Sequence, residues 1–232
     1  MTDKYVLTEE SQTVGNVTLH RIRALRQVRP GVDKGALGGW VESEVNLSQE
    51  GSAWVYGDAL VYGSARVYGD ALVSGEAQVS GNAWVYGDAQ VFGNARVFGE
   101  ARVFGDAQVS GDARVFGNAW VYGDAWVYGD AQVFGNAWVY GDVRVFGDAR
   151  VYGDAWVFGN AWVYGDVRVF GDARVYGDAW VFGNAWVSGD ARVSGDARVS
   201  GDAQVSEPWS YIEVTPGVEV RGPKRLQGGG KP

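Results

Sequence analysis

The chain has 232 residues, a net charge of −8, no cysteine and a single histidine, His20. The lack of thiols excludes disulfides and thiolate metal sites. No apolar run approaches the roughly 18 residues of a membrane helix, and Met1–Lys4 do not resemble a secretion signal. We therefore expect a cytoplasmic protein without membrane contact.

The negative charge is concentrated in the middle of the chain. Residues 51–206 contain 18 Asp or Glu and 10 Arg, whereas the remaining segments are balanced at 10 against 10. Non-specific nucleic-acid binding requires a basic surface that displaces counterions. We therefore expect no nucleic-acid partner.

The N-terminal segment does not repeat. Apolar and polar side chains alternate on either side of Val14-Gly15-Asn16, a pattern typical of two strands joined by a tight turn. Residues 1–38 are therefore predicted to form a β-hairpin cap.

A six-residue repeat dominates the rest of the chain. Valine recurs at every sixth position from Val55 to Val205, and Val41 and Leu47 precede this array with a two-residue offset at Gln49-Glu50. A strict short period with a glycine in each unit is typical of a solenoid, in which each unit forms one strand and one turn. Residues 39–206 are predicted to form this β-solenoid.

The hexad from Ala119 to Asp124 shows what each unit does. Strand alternation places Ala119 and Val121 on one face, and Trp120 and Tyr122 on the other. The small and branched apolar pair should point inward. Gly123 and Asp124 should form the corner, since glycine accepts unusual backbone angles and Asp tolerates the left-handed region.

The number of hexads in a coil decides which side chains become neighbours. Three hexads would give a triangular coil and nearly nine coils in the regular array. Residues 141–164 and 165–187 repeat almost the same block of four hexads, which would suit a four-sided coil. A tandem duplication also explains that block, so we favour three sides and keep four as the alternative.

In a triangular coil, one outer face carries a row of tryptophan and arginine. Adjacent members could form cation–π contacts of about 0.5–1 kcal/mol each. The candidate interaction ladder consists of Trp84, Arg102, Trp120, Trp138, Trp156 and Arg174.

The period fails after Val205, where Glu207 and Pro208 replace the corner pair. We expect residues 207–232 to form a C-terminal cap and a flexible tail. Tyr211–Val214 and Val218–Val220 could form a hairpin around Thr215-Pro216-Gly217. Caps of this kind cover the open strand edges of a solenoid.

Several segments resemble the YdcK-like hexapeptide-repeat proteins of bacteria and their phages. They are LHRIRALRQV (19–28), GALGGWVESEVNLS (35–48) and GSAWVYGDA (51–59). The resemblance implies an all-β, left-handed parallel β-helix of about 9–10 coils with a small cap at each end. It is compatible with phage origin and a virion location, and it implies little about chemistry.

The regular array offers no place for catalysis, because it contains no histidine, no cysteine and no insertion. We expect no catalytic residue, cofactor or metal, and a structural or interaction rod that binds itself or another protein through its aromatic and arginine faces. The alternatives are a glycan-binding solenoid, an acidic mimic of DNA and, least favoured, a hexapeptide acyltransferase.

Overall fold

The computed structural model describes residues 3–207 and the short segments 213–214, 219–221 and 225–226. It begins with an antiparallel hairpin of β1 (Tyr5–Val14) and β2 (Val17–Ala24). Strand β3 (Leu37–Val41) pairs antiparallel with β2 and parallel with the array. It therefore spans the boundary expected between residues 38 and 39, and joins the hairpin to the solenoid. A short 3₁₀ helix, Glu44–Asn46, follows.

The array forms three parallel sheets, and successive strands pass from one sheet to the next. Face 1 continues from β3 through Leu60–Val61, Gln78–Val79, Arg96–Val97, Arg114–Val115, Gln132–Val133, Arg150–Val151, Arg168–Val169, Trp186–Gly189, Gln204–Glu207 and Arg225–Leu226. Face 2 contains Trp54–Val55, Leu72–Val73, Gln90–Val91, Gln108–Val109, Trp126–Val127, Arg144–Phe146, Trp162–Gly165, Trp180–Gly183, Arg198–Ser200 and Glu219–Arg221. Face 3 contains Arg66–Val67, Trp84–Val85, Arg102–Val103, Trp120–Tyr122, Trp138–Gly141, Trp156–Gly159, Arg174–Val175, Arg192–Val193 and Glu213–Val214.

The pairing register confirms a triangular coil. Val91 lies beside Val73 on one side and Val109 on the other, so each strand pairs with the strands three hexads before and after it. About nine such coils, stacked at the ~4.8 Å spacing of paired strands, give a rod roughly 40 Å long. The all-β parallel solenoid expected from the sequence is therefore confirmed, and it is consistent with a left-handed β-helix.

The interior of the rod is built from the inward Ala and Val of each hexad. From Ala53 to Val205 these side chains are fully buried or within 1% of it, including Val143 and Val167, which replace alanine. The two-residue offset before the array is also present, since Leu47 bridges to Val67, two positions beyond the spacing of the regular coils. The narrow core explains why small and branched residues alternate along it.

Glycine forms each corner for two reasons. From Gly57 to Gly201 the corner glycines have φ between 59° and 85°, which side chains with a Cβ atom disfavour. A Cβ added to Gly123 would also lie 2.9 Å from the backbone nitrogen of Gly141 in the next coil. No described residue other than glycine has positive φ, so the Asp or Asn after it does not use the left-handed region.

Those Asp and Asn side chains instead connect the coils in places. Asn118 Nδ2 donates to Asn136 Oδ1 at 3.0 Å, and Asn136 Nδ2 donates to Asp154 Oδ1 at 2.9 Å. Residues at this position therefore form short ladders of their own wherever an asparagine can donate to the next coil.

The N-terminal hairpin covers the first coil with buried side chains. Lys4 is fully buried, and its Nζ donates to the carbonyl oxygens of Glu50 and Ala53 at 3.2 and 3.0 Å. The ring of Tyr5 meets buried Trp54 edge to face, with centroids 6.3 Å apart, and its hydroxyl donates to the Leu47 carbonyl at 2.7 Å. These donors satisfy carbonyl groups at the end of the rod.

The hairpin expected within 207–232 is wrong. Glu213–Val214 pairs parallel with Arg192–Val193 on face 3, and Glu219–Arg221 pairs parallel with Arg198–Ser200 on face 2. Val214, Val220 and Leu226 again recur at every sixth position, so the hexad resumes after a three-residue insertion. The rest of the expected cap and flexible tail lies outside the described residues.

Replacing Gly123 by alanine should destabilise the rod more than the same change in the hairpin turn. Gly15 has a φ of +62°, but an added Cβ would meet nothing within 4 Å. We expect Gly15→Ala to lower the free energy of unfolding by about 1–2 kcal/mol, and Gly123→Ala by about 2–4 kcal/mol because its Cβ also collides with Gly141. Urea unfolding followed by circular dichroism measures both, and equal losses would contradict a role for the close coil contact.

The buried Lys4 should make stability depend on pH. Burial, and then the positive charge of Arg26, lower the Lys4 pKa from 10.5 to about 8, while Asp70 acts in the opposite direction. Between pH 8 and 10.5 the unfolded chain therefore binds more protons at Lys4, so stability should rise with pH in this window. The free energy of unfolding of the parent protein, measured from pH 7 to 10, should rise relative to that of Lys4→Met. Parallel profiles would contradict this prediction.

Candidate interaction face

The structure brings the predicted ladder together on face 3. Arg102 pairs in register with Trp84 on one side and Trp120 on the other. Trp138, Trp156 and Arg174 continue the row, one coil at a time. Arg66 precedes it. We call the outward side chains from Arg66 to Arg174 the Arg/Trp row.

The members of the row stack on one another along the rod. The Trp120 and Trp138 ring centroids are 4.9 Å apart at an interplanar angle of 2°, and those of Trp138 and Trp156 are 5.1 Å apart at 4°. The Arg102 Cζ lies 5.2 Å from the Trp84 centroid and 4.8 Å from that of Trp120. Arg174 covers Trp156 at 5.3 Å. The row is thus one continuous stack of flat groups.

A second aromatic column runs beside the row, at the residue after each valine. Its seven rings stack with centroids 4.7 to 5.1 Å apart, and we call it the tyrosine column. It consists of Tyr68, Tyr86, Phe104, Tyr122, Tyr140, Phe158 and Tyr176. Tyr122 also meets Trp138 edge to face at 6.3 Å. Burial raises the pKa of Tyr86 and Tyr122, so these phenols stay neutral well above pH 7.

The stacking of the row limits which molecules its aromatic side chains can bind. In the middle of the row, both faces of Trp120 and Trp138 are covered by the neighbouring ring or guanidinium. Stacking against a sugar requires a free ring face, and these rings have none. Their stacking stabilises the coils instead, as cross-strand aromatic pairs do in other sheets.

The arginines of the row keep their charge unpaired. Among residues 3–206 there are two salt bridges, Arg21–Glu10 and Arg144–Asp142. Arg66, Arg102 and Arg174 belong to neither. Their guanidinium groups lie on tryptophan rings and carry donors that no carboxylate occupies.

Rows of carboxylates follow the corners. Asp88, Asp106 and Asp124 occupy successive coils at the corner between faces 3 and 2, and all three are exposed without a salt bridge. Among the residues that the structure describes, no group of three or more His, Asp or Glu side chains is arranged to hold a metal ion. The Arg/Trp row of face 3 is therefore bordered by a row of exposed carboxylates.

A second Arg/Trp stack on face 2 was missed in the sequence. Arg144 lies 5.4 Å from the Trp126 ring and 5.3 Å from the Trp162 ring, and Trp162 stacks on Trp180 at 5.2 Å. Arg198 covers Trp180 at 5.5 Å. Grouping the outward residues of face 2 at the same spacing of three hexads would have predicted this stack from the sequence. It is interrupted by Gln90 and Gln108 towards the N-terminus.

The only histidine lies away from both stacks. His20 is half-buried in β2, where it pairs with Ser11 of β1 and Val41 of β3.

In the portion of the chain that is described, no helix is both long and apolar enough to span a membrane.

Comparison with known proteins supports the repeat architecture. The model of the YdcK beta solenoid repeat matches residues 77–90, 89–105, 107–123, 143–159, 149–165, 173–189 and 191–207. No curated protein matches the chain. These matches lie within the regular array, where the strands of each face recur every three hexads.

Among solved structures, the chain is similar to the UDP-N-acetylglucosamine acyltransferase of Francisella novicida. The two are 15% identical, with a TM-score of 0.33, over 75% of this chain and 66% of that chain. The chain thus spans slightly less than two thirds of that enzyme, and a likeness this distant carries no argument about activity. The three parallel sheets identify the chain as a β-solenoid repeat protein, and seven segments of its array match the YdcK beta solenoid repeat.

Proposed function

We propose that this protein is a non-enzymatic interaction rod that associates with a protein surface, first of all a second copy of itself, through the Arg/Trp row of face 3. Tryptophan and arginine are the residue types that contribute most to protein–protein binding energy. A parallel solenoid face presents them at regular spacing on a rigid support, which lowers the entropy lost on association.

The observation that carries the proposal is the state of the row's arginines. Arg102 and Arg174 lie on tryptophan rings, and neither has a carboxylate partner among the described residues. A role limited to stability would be served by ring stacking alone. Arginines that are held in place without a carboxylate partner are suited to bind carboxylates of another molecule, because the guanidinium group can donate two parallel hydrogen bonds to one carboxylate.

The same rod supplies suitable carboxylates. The exposed row of Asp88, Asp106 and Asp124 runs along a corner of face 3, with one residue per coil, as in the Arg/Trp row. In a two-fold dimer each surface meets its own copy, so the basic row of one molecule could face the acidic row of the other and the reverse. This complementarity offsets the repulsion expected from two copies of net charge −8.

The alternatives have less support from the geometry. Sugar stacking lacks free ring faces in the middle of the row. An acidic mimic of DNA would need an uninterrupted negative surface, but arginines occur in the outward rows of all three faces. Acyl transfer by a histidine base has no candidate in the array, because His20 lies in the hairpin.

The proposal predicts that removing charge from face 3 weakens self-association. Glutamine occupies the same hexad position at Gln90, Gln108 and Gln132, so Arg102→Gln with Arg174→Gln should fold. We expect the dimer dissociation constant to rise at least about tenfold, which is ~1.4 kcal/mol. Sedimentation equilibrium from micromolar to millimolar protein measures it, and added salt should weaken the parent dimer in the same direction.

The matched control is Arg114→Gln with Arg150→Gln. It makes the same change of charge at the same hexad position on face 1. The dissociation constant should be almost unchanged in this variant. Equal weakening in both variants would assign the effect to net charge rather than to face 3, and a parent protein that stays monomeric at millimolar concentration would disprove self-association.

A further inference from the structure

The tyrosine column ends abruptly at its N-terminal end. Tyr68 stacks on Tyr86 at 4.8 Å and meets the edge of Trp84 at 6.1 Å. Among the described residues no third ring contacts it. Leu47 bridges to Val67, and the Ser48 amide donates to the Val67 carbonyl at 2.9 Å. Ser48 therefore holds the place in the register where the next ring of the column would lie.

This missing ring leaves a cavity. The cavity has a volume of about 440 Å³ and is lined by Val45, Ser48, Arg66, Val67, Tyr68 and Trp84. A volume of this size is typical of ligand sites, and apolar or aromatic side chains with a few polar groups line most of them. The site thus combines a ring with one unstacked face, the exposed side chain of Val45 and a guanidinium.

Two features of the lining indicate the occupant. Flat rings in this column repeat every 4.7 to 5.1 Å, so a ring that stacks beneath Tyr68 would continue the column at the same spacing. Arg66 lies 5.9 Å from the Trp84 ring centroid and has no salt bridge with any described residue. An aromatic ring with a carboxylate next to it would extend the stack and pair with Arg66.

The cavity is open, and this favours a side chain over a free small molecule. Val45, on its rim, is 58% exposed, whereas small-molecule sites enclose most of their ligand. The cavity also lies at the beginning of the Arg/Trp row, so the rest of a larger partner could lie along face 3. A single aromatic anchor in a pocket is a common way to hold such a partner.

We propose that this cavity binds an aromatic side chain of a partner protein, in a segment where acidic residues flank the aromatic one. The ring stacks beneath Tyr68 as an eighth member of the tyrosine column, and the neighbouring carboxylate pairs with Arg66. The cavity shares Arg66 and Trp84 with the first coils of the Arg/Trp row, but the binding of the aromatic segment does not require self-association.

The test uses three labelled peptides and the full chain. The probe is acetyl-Gly-Glu-Trp-Glu-Gly with a fluorescent label, and the controls replace its Trp by Leu or both Glu by Lys. Fluorescence anisotropy should show that the probe binds at least about tenfold more tightly than either control. The Leu control has no ring to stack on Tyr68, and Arg66 repels the Lys control.

Two variants of the protein connect the binding to the cavity. Serine is found at the position of Tyr68 in other hexads, for example Ser74 and Ser110, so Tyr68→Ser should fold and weaken the probe at least about tenfold. Ser48→Phe should fill the cavity and abolish binding. The matched control is Tyr62→Ser, which removes a tyrosine from the same hexad position on face 1 and should leave binding unchanged.

The other outcomes would overturn the proposal. No binding of the probe, or binding that survives both Tyr68→Ser and Ser48→Phe, would rule out the cavity. Indole-3-acetate that binds as tightly as the peptide, and competes with it, would indicate a small-molecule site instead. Self-association that is lost in Ser48→Phe, without peptide binding to the parent, would assign the cavity to a second copy. Arg102→Gln with Arg174→Gln should still bind the probe, which keeps this test independent of the dimer.

Discussion

The rod depends on how closely one corner lies on the next. Each corner contains a glycine with positive φ, and from Gly63 to Gly183 an added Cβ would come within about 3 Å of the corner glycine in the next coil. Because the corners stack without side chains between them, the strands of all three faces remain at pairing distance. The inward valines, the outward stacks and the corner carboxylates then repeat with the same period. Each side chain therefore contacts the side chain at the same hexad position in the next coil, whether or not the two are of the same type.

This repetition turns single side chains into columns, and the columns have two roles. Rings that are covered on both faces, such as Trp138, stabilise neighbouring coils. Groups at the end of a column or between its rings can still bind another molecule. The guanidinium of Arg102 has no carboxylate partner among the described residues, and one face of the Tyr68 ring is not stacked. Binding is therefore expected where a column is interrupted or charged, and not along its aromatic interior.

Much of this could be predicted from the sequence. The six-residue valine period requires a solenoid, the turn at Gly15 requires a hairpin, and the ladder from Trp84 to Arg174 follows once the coil has three sides. The last step was open, because the repeated block of four hexads also suits four sides. Pairing of Val91 with Val73 and Val109 resolves it. The turn-like composition of Thr215-Pro216-Gly217 predicts a C-terminal hairpin, which is wrong. The hexad spacing of Val214 and Val220 decides the pairing instead, since these residues lie beside Val193 and Val199 in two different sheets.

The sequence by itself determined the repeat, the inward and outward positions and the glycine corners, because these depend on local backbone geometry that each hexad carries. Only the tertiary structure decided what those outward positions become. Whether the ring face of a tryptophan is exposed or covered depends on the residue in the next coil, which lies three hexads away in the sequence. The cavity beneath Tyr68 likewise arises because a two-residue offset places Ser48 below it. Contacts between coils, which no single hexad contains, determine where the rod can bind.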